Sequence, residues 1–268
     1  MDKRAENTLK GLAMLLVAGL IGLAFTKQQK PTIYIIGDST TKNTLPMMGW
    51  GTAFADFVDT NRISVANHAM AGRSTRTFVK EGRWDKVDSL LKPGDYVLMV
   101  FGHNEGAKPG IPPPNPDANG RATGRGVLKG IGEDTVHLTW PDGKLEIVHT
   151  FGWYFRKFIR EAKSKGATPM VLSMIPHDVF KDGKVPRADQ NYGLWSKQVA
   201  EQEGVIFIDM NNIAADKYEK MGADSVAKIF AADKTHTNKM GAAVNAQSVV
   251  DGIRANPKNP LNQYLLNK

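Results

Sequence analysis

Four short runs constrain this chain most: residues 32–36 (TIYII), 95–101 (DYVLMVF), 169–175 (PMVLSMI) and 205–209 (VIFID). Each is apolar nearly throughout rather than alternating apolar with polar. That pattern suits strands buried on both faces of a parallel sheet. A weaker run at 63–66 supplies a fifth. Between them lie stretches with apolar residues at helical spacing, at 50–58, 151–165 (FGWYFRKFIREAKSK), 192–202 and 241–253. Strand alternating with helix, with no internal repeat, predicts an α/β fold: a three-layer α/β/α sandwich around a mainly parallel sheet.

The rhythm breaks at about 106–149. PGIPPPNPDANGRATGRG is rich in proline and glycine and reads as surface loop. Residues 136–140 and 144–148, flanking Pro141-Asp142-Gly143, predict a small hairpin. A long insertion directly after a strand end is expected to wall a binding groove. At the other extreme, Lys3, Arg4 and Lys10 precede an apolar run from Gly11 to Phe25. Residues 1–24 therefore read as a secretory signal peptide, with an uncleaved anchor as the alternative, because the run falls short of the roughly 20 residues of a membrane span. The expected product is a secreted or periplasmic catalytic domain over 25–268, with no stable membrane association once the leader is removed.

The chain has 268 residues and no cysteine, which excludes cysteine nucleophiles, thiolate metal sites and disulfide staples. Its formal charge of +8 is compatible with an acidic partner, although charge alone reads first as a solvated surface that keeps the protein soluble. No stripe of lysines interleaved with aromatics is present, so nucleic acid is not expected. For an exported protein the acidic partner expected is a plant polysaccharide.

Reactive residues concentrate just after the strands, where sites form in open α/β sheets. The first strand runs into Gly37-Asp38-Ser39-Thr40, and the weak one leads to Asn67-His68-Ala69-Met70-Ala71-Gly72-Arg73-Ser74. The third leads to Gly102-His103-Asn104-Glu105, and Asp233-Lys234-Thr235-His236 stands near the C-terminus. These residue types supply the parts of acyl transfer. A serine hydroxyl needs an imidazole to accept its proton, and the imidazole needs a carboxylate to hold its tautomer. The candidates are Ser39, His236 and Asp233. The oxyanion needs donors, for which the backbone N–H groups of Ser39 and Gly72 and the side-chain amide of Asn104 are available. No cofactor is required.

Three competing arrangements fit less well. Ser74 lies in no Gly-x-Ser-x-Gly elbow. His103, His177 and His236 show no zinc-binding spacing, so no metal is expected. Asp38 and Glu105 could form a glycosidase pair, but Asp38 beside Ser39 reads better as a turn carboxylate orienting the loop.

IIGDST, NHAMAGRSTRTF, VFGHNEG and DKTHTN resemble the four sequence blocks of the SGNH (GDSL-like) hydrolases. Within that superfamily, GDSTT, Gly49-Trp50-Gly51, GRSTRTF, the 148–173 segment and DKTHTNKMGA are most similar to rhamnogalacturonan acetylesterases. The resemblance implies a flavodoxin-like sandwich that hydrolyses O-acetyl esters on pectic backbones. It places Ser39 as nucleophile, His236 as base, Asp233 as its partner, and Gly72 and Asn104 as oxyanion donors. Glu105 departs from the aspartate expected after the asparagine, and His177 stands where an arginine is expected. Asp38, His103, Glu105 and His177 are thereby candidate substrate-binding residues. The alternatives are an esterase on another acetylated glycan such as xylan, a lipase or thioesterase, and a silent carbohydrate-binding module. Trp50, Trp153 and Trp195 are compatible with stacking on sugars, although each taken singly reads as a core residue.

Overall fold

The period-two geometry of a strand sends neighbouring side chains to opposite faces. A strand apolar at every position must therefore feed two cores, and the two central strands of this protein do. The structure, a computed structural model, describes residues 30–111, 124–231 and 233–267. The expected leader lies outside them, as does the stretch 112–123 of the insertion. In β1 (Thr32–Gly37) and β3 (Tyr96–Val100), Ile33, Ile35, Leu98 and Val100 face one core, whereas Tyr34, Ile36, Val97 and Met99 face the other. Burying each such side chain contributes about 1.5–3 kcal/mol.

Three further strands complete the sheet: β2 (Ser64–Asn67), β6 (Thr168–Leu172) and β7 (Ile206–Ile208). Their order is β2-β1-β3-β6-β7, and every pairing is parallel. The first core is closed by α1 (Trp50–Ala53), the 3-10 turn Phe54–Phe57 and the long helix α8 (Lys239–Arg254). The second is closed by α2 (Thr75–Lys80), α3 (Arg83–Asp88), α4 (Phe151–Ser164) and α5 (Tyr192–Gln202), with Phe78, Trp84, Phe155 and Phe158 clustered over the sheet. The protein is thus an α/β/α sandwich, as the alternation of strands and helices predicts.

Two helices escape the sequence pattern on the β7 side, α6 (Met210–Met221) and α7 (Ala223–Ala227). Asp209, read from sequence as the last strand residue, instead caps α6 by accepting the Asn212 N–H. The expected helix over 50–58 is shorter, one α turn followed by a 3-10 turn. Trp50 is fully buried in the first core, so it offers no face to a sugar.

The predicted hairpin is present as β4 (Thr135–Thr139) and β5 (Leu145–His149). A buried charge cluster attaches it to α2. Arg76, 1% exposed, reaches Glu146 Oε1 at 2.7 Å through Nε and Oε2 at 2.9 Å through Nη2. The same guanidinium donates to the carbonyls of Gly126 and Gly110, both at 3.2 Å. Lys80 adds a 2.8 Å bond to Glu146 and sits over the Trp140 ring, whose Nε1 also donates to Glu146. Burial opposes charge on Glu146, yet Arg76 and Lys80 hold its carboxyl down at about 2. Removing one partner of a buried pair strands the other charge. Glu146→Ala is therefore expected to cost about 3 kcal/mol, read as a lower denaturant midpoint at unchanged m-value. A loss below about 1 kcal/mol, typical of surface pairs, would show that the cluster does not anchor the hairpin.

Candidate active site

The nucleophile turn follows β1 directly. The Asp38 carbonyl accepts the N–H groups of Thr41 and Lys42, both at 3.1 Å. Asp38 Oδ1 accepts from Thr40 N at 2.9 Å and Thr40 Oγ1 at 2.8 Å. The turn is thereby wound tightly around its own carboxylate, and Ser39 is carried at its crest. The first turn of α1 packs on it from outside: Trp50 N donates to Thr40 O and Gly51 N to Thr41 O, both at 3.0 Å. Gly49 has to be glycine, because a Cβ there would stand 2.2 Å from the Thr41 carbonyl carbon.

The imidazole arrives from the loop before α8. Thr237 pairs with Met48 in both directions, Met48 N to Thr237 O at 2.8 Å and Thr237 Oγ1 to Met48 O at 2.9 Å. This ties the loop to the segment that also holds the nucleophile turn. Asp233 Oδ1 accepts the backbone N–H groups of Thr235 and His236, each at 2.7 Å. Its Oδ2 lies 2.7 Å from His236 Nδ1, and His236 Nε2 lies 2.8 Å from Ser39 Oγ. A carboxylate only accepts, so the proton of the neutral ring sits on Nδ1 and Nε2 is left to accept from the serine. Partial burial works against charge on Asp233, but the His236 ring and the two backbone N–H groups hold its carboxyl below the usual range. The three residues named from sequence thus form one hydrogen-bonded chain.

Beside it lie the ends of β2 and β3, which flank β1 in the sheet. Gly72 adopts a φ of 75°, a conformation few residues but glycine accept. Among the described residues the N–H groups of Ser39 and Gly72 have no acceptor. Asn104 Nδ2 donates to Arg73 O at 3.1 Å, which leaves its second amide hydrogen for another partner. Asn104 Oδ1 accepts from Arg125 Nη1 at 2.8 Å. Arg125 escapes the sequence reading because it sits in the Pro/Gly-rich insertion, where nothing local marks it.

Beneath this layer the expected substrate-binding residues need correction. Asp38 and Glu105 are buried, and the His103 side chain is only 4% exposed, so none of them offers an atom to a bound polymer. They form a floor instead. His103 Nε2 donates to Ile175 O at 3.1 Å, and its Nδ1 faces Asp38 Oδ2 at 3.4 Å, an ion pair without hydrogen-bond alignment. Burial opposes the charged ring, but Asp38 outweighs it and the His103 pKa is raised. Burial also opposes the Asp38 charge, and His103 holds that carboxyl below its usual value. Glu105 accepts from Thr75 N at 2.8 Å and Asn104 N at 3.0 Å, joining the ends of β2 and β3. Of the four, His177 alone stays exposed, its Nδ1 3.1 Å from Thr235 Oγ1. Ser74 is fully buried as the N-cap of α2, so it is no competing nucleophile. Among the described residues no three His, Asp or Glu side chains gather so as to hold a metal ion.

Burial, with the Asp38 charge behind it, pushes Glu105 up to about 7 against its two backbone hydrogen bonds. An acid whose pKa rises on folding stabilises the protein at low pH. That contribution is complete below about 4.5 and is lost as pH climbs toward 7, up to roughly 3 kcal/mol in all. Glu105→Gln is accordingly expected to flatten the fall of unfolding free energy between pH 5 and 8. Denaturant titrations at several pH values measure this, and equal slopes in both proteins would reject it.

A nucleophile, base and carboxylate in one chain beside unpaired N–H donors, all at the carboxyl ends of parallel strands, make up the working parts of a serine ester hydrolase. The family match agrees. A profile of the GDSL-like Lipase/Acylhydrolase family covers residues 35–244, and the chain belongs to that family. It is a carboxylic ester hydrolase. It is 31% identical over 222 residues to a rhamnogalacturonan acetylesterase of Emericella nidulans, an alignment spanning 83% of this chain and 84% of the relative. The Bacillus subtilis rhamnogalacturonan acetylesterase RhgT is 25% identical, over 82% of this chain and 88% of its own. Among solved structures, Bacillus subtilis YxiM superposes with a TM-score of 0.65 at 22% identity, over 85% of this chain and 57% of that one. The acetylxylan esterase Axe2 of Geobacillus stearothermophilus gives 0.52 at 15% identity, over 83% and 93%. At these identities the two structures speak for the fold.

Proposed function

We propose that this protein is an exported acetylesterase that removes O-acetyl groups from the rhamnogalacturonan backbone of pectin through an acetyl-serine intermediate. The observation that carries the serine mechanism is the unbroken chain from Asp233 through His236 to Ser39 Oγ, with contacts of 2.7 and 2.8 Å. His236 Nε2 takes the hydroxyl proton as Ser39 Oγ attacks the acetyl carbonyl, and Asp233 stabilises the imidazolium that forms. The oxyanion is received by the N–H groups of Ser39 and Gly72 and the remaining Asn104 amide hydrogen. The intermediate then collapses, the bond from the acetyl carbon to the sugar oxygen breaks, and His236 gives the proton to that oxygen so that the sugar leaves as its hydroxyl. Water attacks the acetyl-serine along the same path and releases acetate.

The substrate assignment is supported by the names of the relatives and by charge. Lys42 and Lys234 are exposed, close in the chain to Ser39 and His236, and suit a polymer carrying carboxylates. The basic and apolar N-terminal segment supports export. Acetate release from acetylated rhamnogalacturonan, with acetylated xylan as comparison, tests the reading. Release from the pectic polymer at the higher kcat/KM is expected. Preference for xylan would move the substrate while keeping the chemistry, and activity confined to long acyl esters would reject the acetylesterase assignment.

A further inference from the structure

We propose that Arg125, supplied by the insertion after β3, is a positioning residue that fixes the orientation of the oxyanion donors. The inference rests on Asn104 and Gly72 having that role.

A primary amide has one accepting and one donating end, and a half-turn about its terminal bond exchanges them. Aimed at a developing oxyanion, the Asn104 NH2 stabilises it, whereas the carbonyl oxygen would repel it. The side chain therefore needs something that distinguishes its two ends. Arg125 Nη1, which only donates, holds Asn104 Oδ1 at 2.8 Å, and the Arg73 carbonyl, which only accepts, holds Nδ2 at 3.1 Å. In the flipped amide, donor would face donor and acceptor would face acceptor at both positions. Leaving part-buried polar groups mismatched is costly enough to make one orientation dominant. The pair of contacts thus directs the second Nδ2 hydrogen to one side only.

The same guanidinium also reaches the other donor. Arg125 Nη1 lies 3.3 Å from the Gly72 carbonyl, and Arg73 Nη1 donates to the Ala71 carbonyl at 3.0 Å. The carbonyl of a trans peptide points opposite to its own N–H. Drawing the Ala71 oxygen toward Arg73 therefore turns the Gly72 N–H the other way, and Arg125 steadies the following peptide. Gly72 at a φ of 75° is where the chain would otherwise be freest to rotate. Arg73 is itself held by Glu81 through Nε at 3.0 Å. Two arginines from different loops thus brace the peptides on either side of Gly72, and both reach Asn104, Arg73 through its carbonyl at Nδ2 and Arg125 through its guanidinium at Oδ1.

A double-mutant cycle on 4-nitrophenyl acetate tests this, because so small a substrate leaves polymer contacts out of the reading. Arg125→Ala is expected to lower kcat about 10- to 100-fold with KM changed less than about threefold, a fraction of the loss on removing an oxyanion donor outright. In an Asn104→Ala background the same substitution is expected to cost at least about threefold less than in the wild type, the remainder being the part that acts through the Gly72 peptide. Arg125→Gln, which keeps a donor for Asn104 Oδ1, is expected to recover part of kcat. The thermal midpoint and near-UV circular dichroism of each variant report whether it is folded, and a misfolded Arg125→Ala leaves the Gln variant to carry the cycle. A kcat loss equally large with and without Asn104, or a rise in KM alone, would overturn the proposal while leaving the oxyanion site intact. An Asn104→Ala enzyme with wild-type kcat would overturn both.

Discussion

Ser39→Ala is expected to reduce kcat for acetate release by about 10⁶-fold while leaving the fold and polymer binding in place. The substitution deletes the atom that attacks the acetyl carbon, and the described residues near the site offer no substitute. Ser74, the other serine near the site, is buried in the capping box of α2. Thr40 and Thr41 are buried as well, with Thr40 Oγ1 committed to Asp38. The residual rate is then that of water attack assisted by the donors alone, which keep some hold on the transition state. The stability cost is expected to stay near 1 kcal/mol, because only one hydrogen bond, from Ser39 Oγ to a partly exposed His236 Nε2, is lost. Initial-rate assays beside thermal unfolding and a polymer-binding titration separate these terms. A variant retaining more than about 1% of wild-type kcat, far above the expected remnant, would remove Ser39 as nucleophile. Lost binding together with lost turnover would point to a folding defect instead.

The parts of this molecule legible in sequence are those whose signal is local. The strands are readable because residues such as Ile35 and Ile36 enter different cores, so both had to be apolar. Helix α4 is readable because its apolar residues return at helical spacing beneath a Thr150 cap. By contrast, the buried face of α6 mixes Asn211, Ala214 and Ala215 with Met210 and Tyr218, and so carries little apolar contrast for its length. The three chain members of the site could be named because few residue types do that chemistry, although Ser39 and His236 stand 197 positions apart. The turn role read for Asp38 holds, whereas the substrate-binding role expected of Asp38, His103 and Glu105 does not, for the opposite reason. Polar residues after a strand look available to ligand, and only tertiary packing decides that these three are turned inward as a floor. Arg125 is not legible because its contacts with Gly72 and Asn104, 53 and 21 positions away, depend on tertiary placement that no local pattern encodes.

Asp233→Asn is expected to be more damaging than Asp233→Ala, an inversion that follows from which hydrogens the site supplies. Asp233 Oδ1 is occupied by the N–H groups of Thr235 and His236. An asparagine keeps those bonds only if its carbonyl oxygen takes the Oδ1 place, which sets its NH2 against His236 Nδ1. A donor there requires Nδ1 to be the accepting nitrogen, so the ring proton moves to Nε2 and faces Ser39. In that tautomer the imidazole cannot take the hydroxyl proton. The expected loss in kcat at neutral pH is about 10³- to 10⁴-fold. Alanine imposes no tautomer. The Asp233 side chain is 49% exposed, so water can enter the vacated space and accept from Nδ1. Its loss is therefore expected to be about tenfold smaller, reflecting the missing negative charge and a less constrained ring. Steady-state kinetics on one acetyl ester at fixed pH compares the two variants directly, and ¹⁵N chemical shifts of the His236 ring show where its proton sits. An asparagine variant as active as the alanine one, or a ring still protonated on Nδ1, would show that Asp233 acts through its charge rather than by choosing the tautomer.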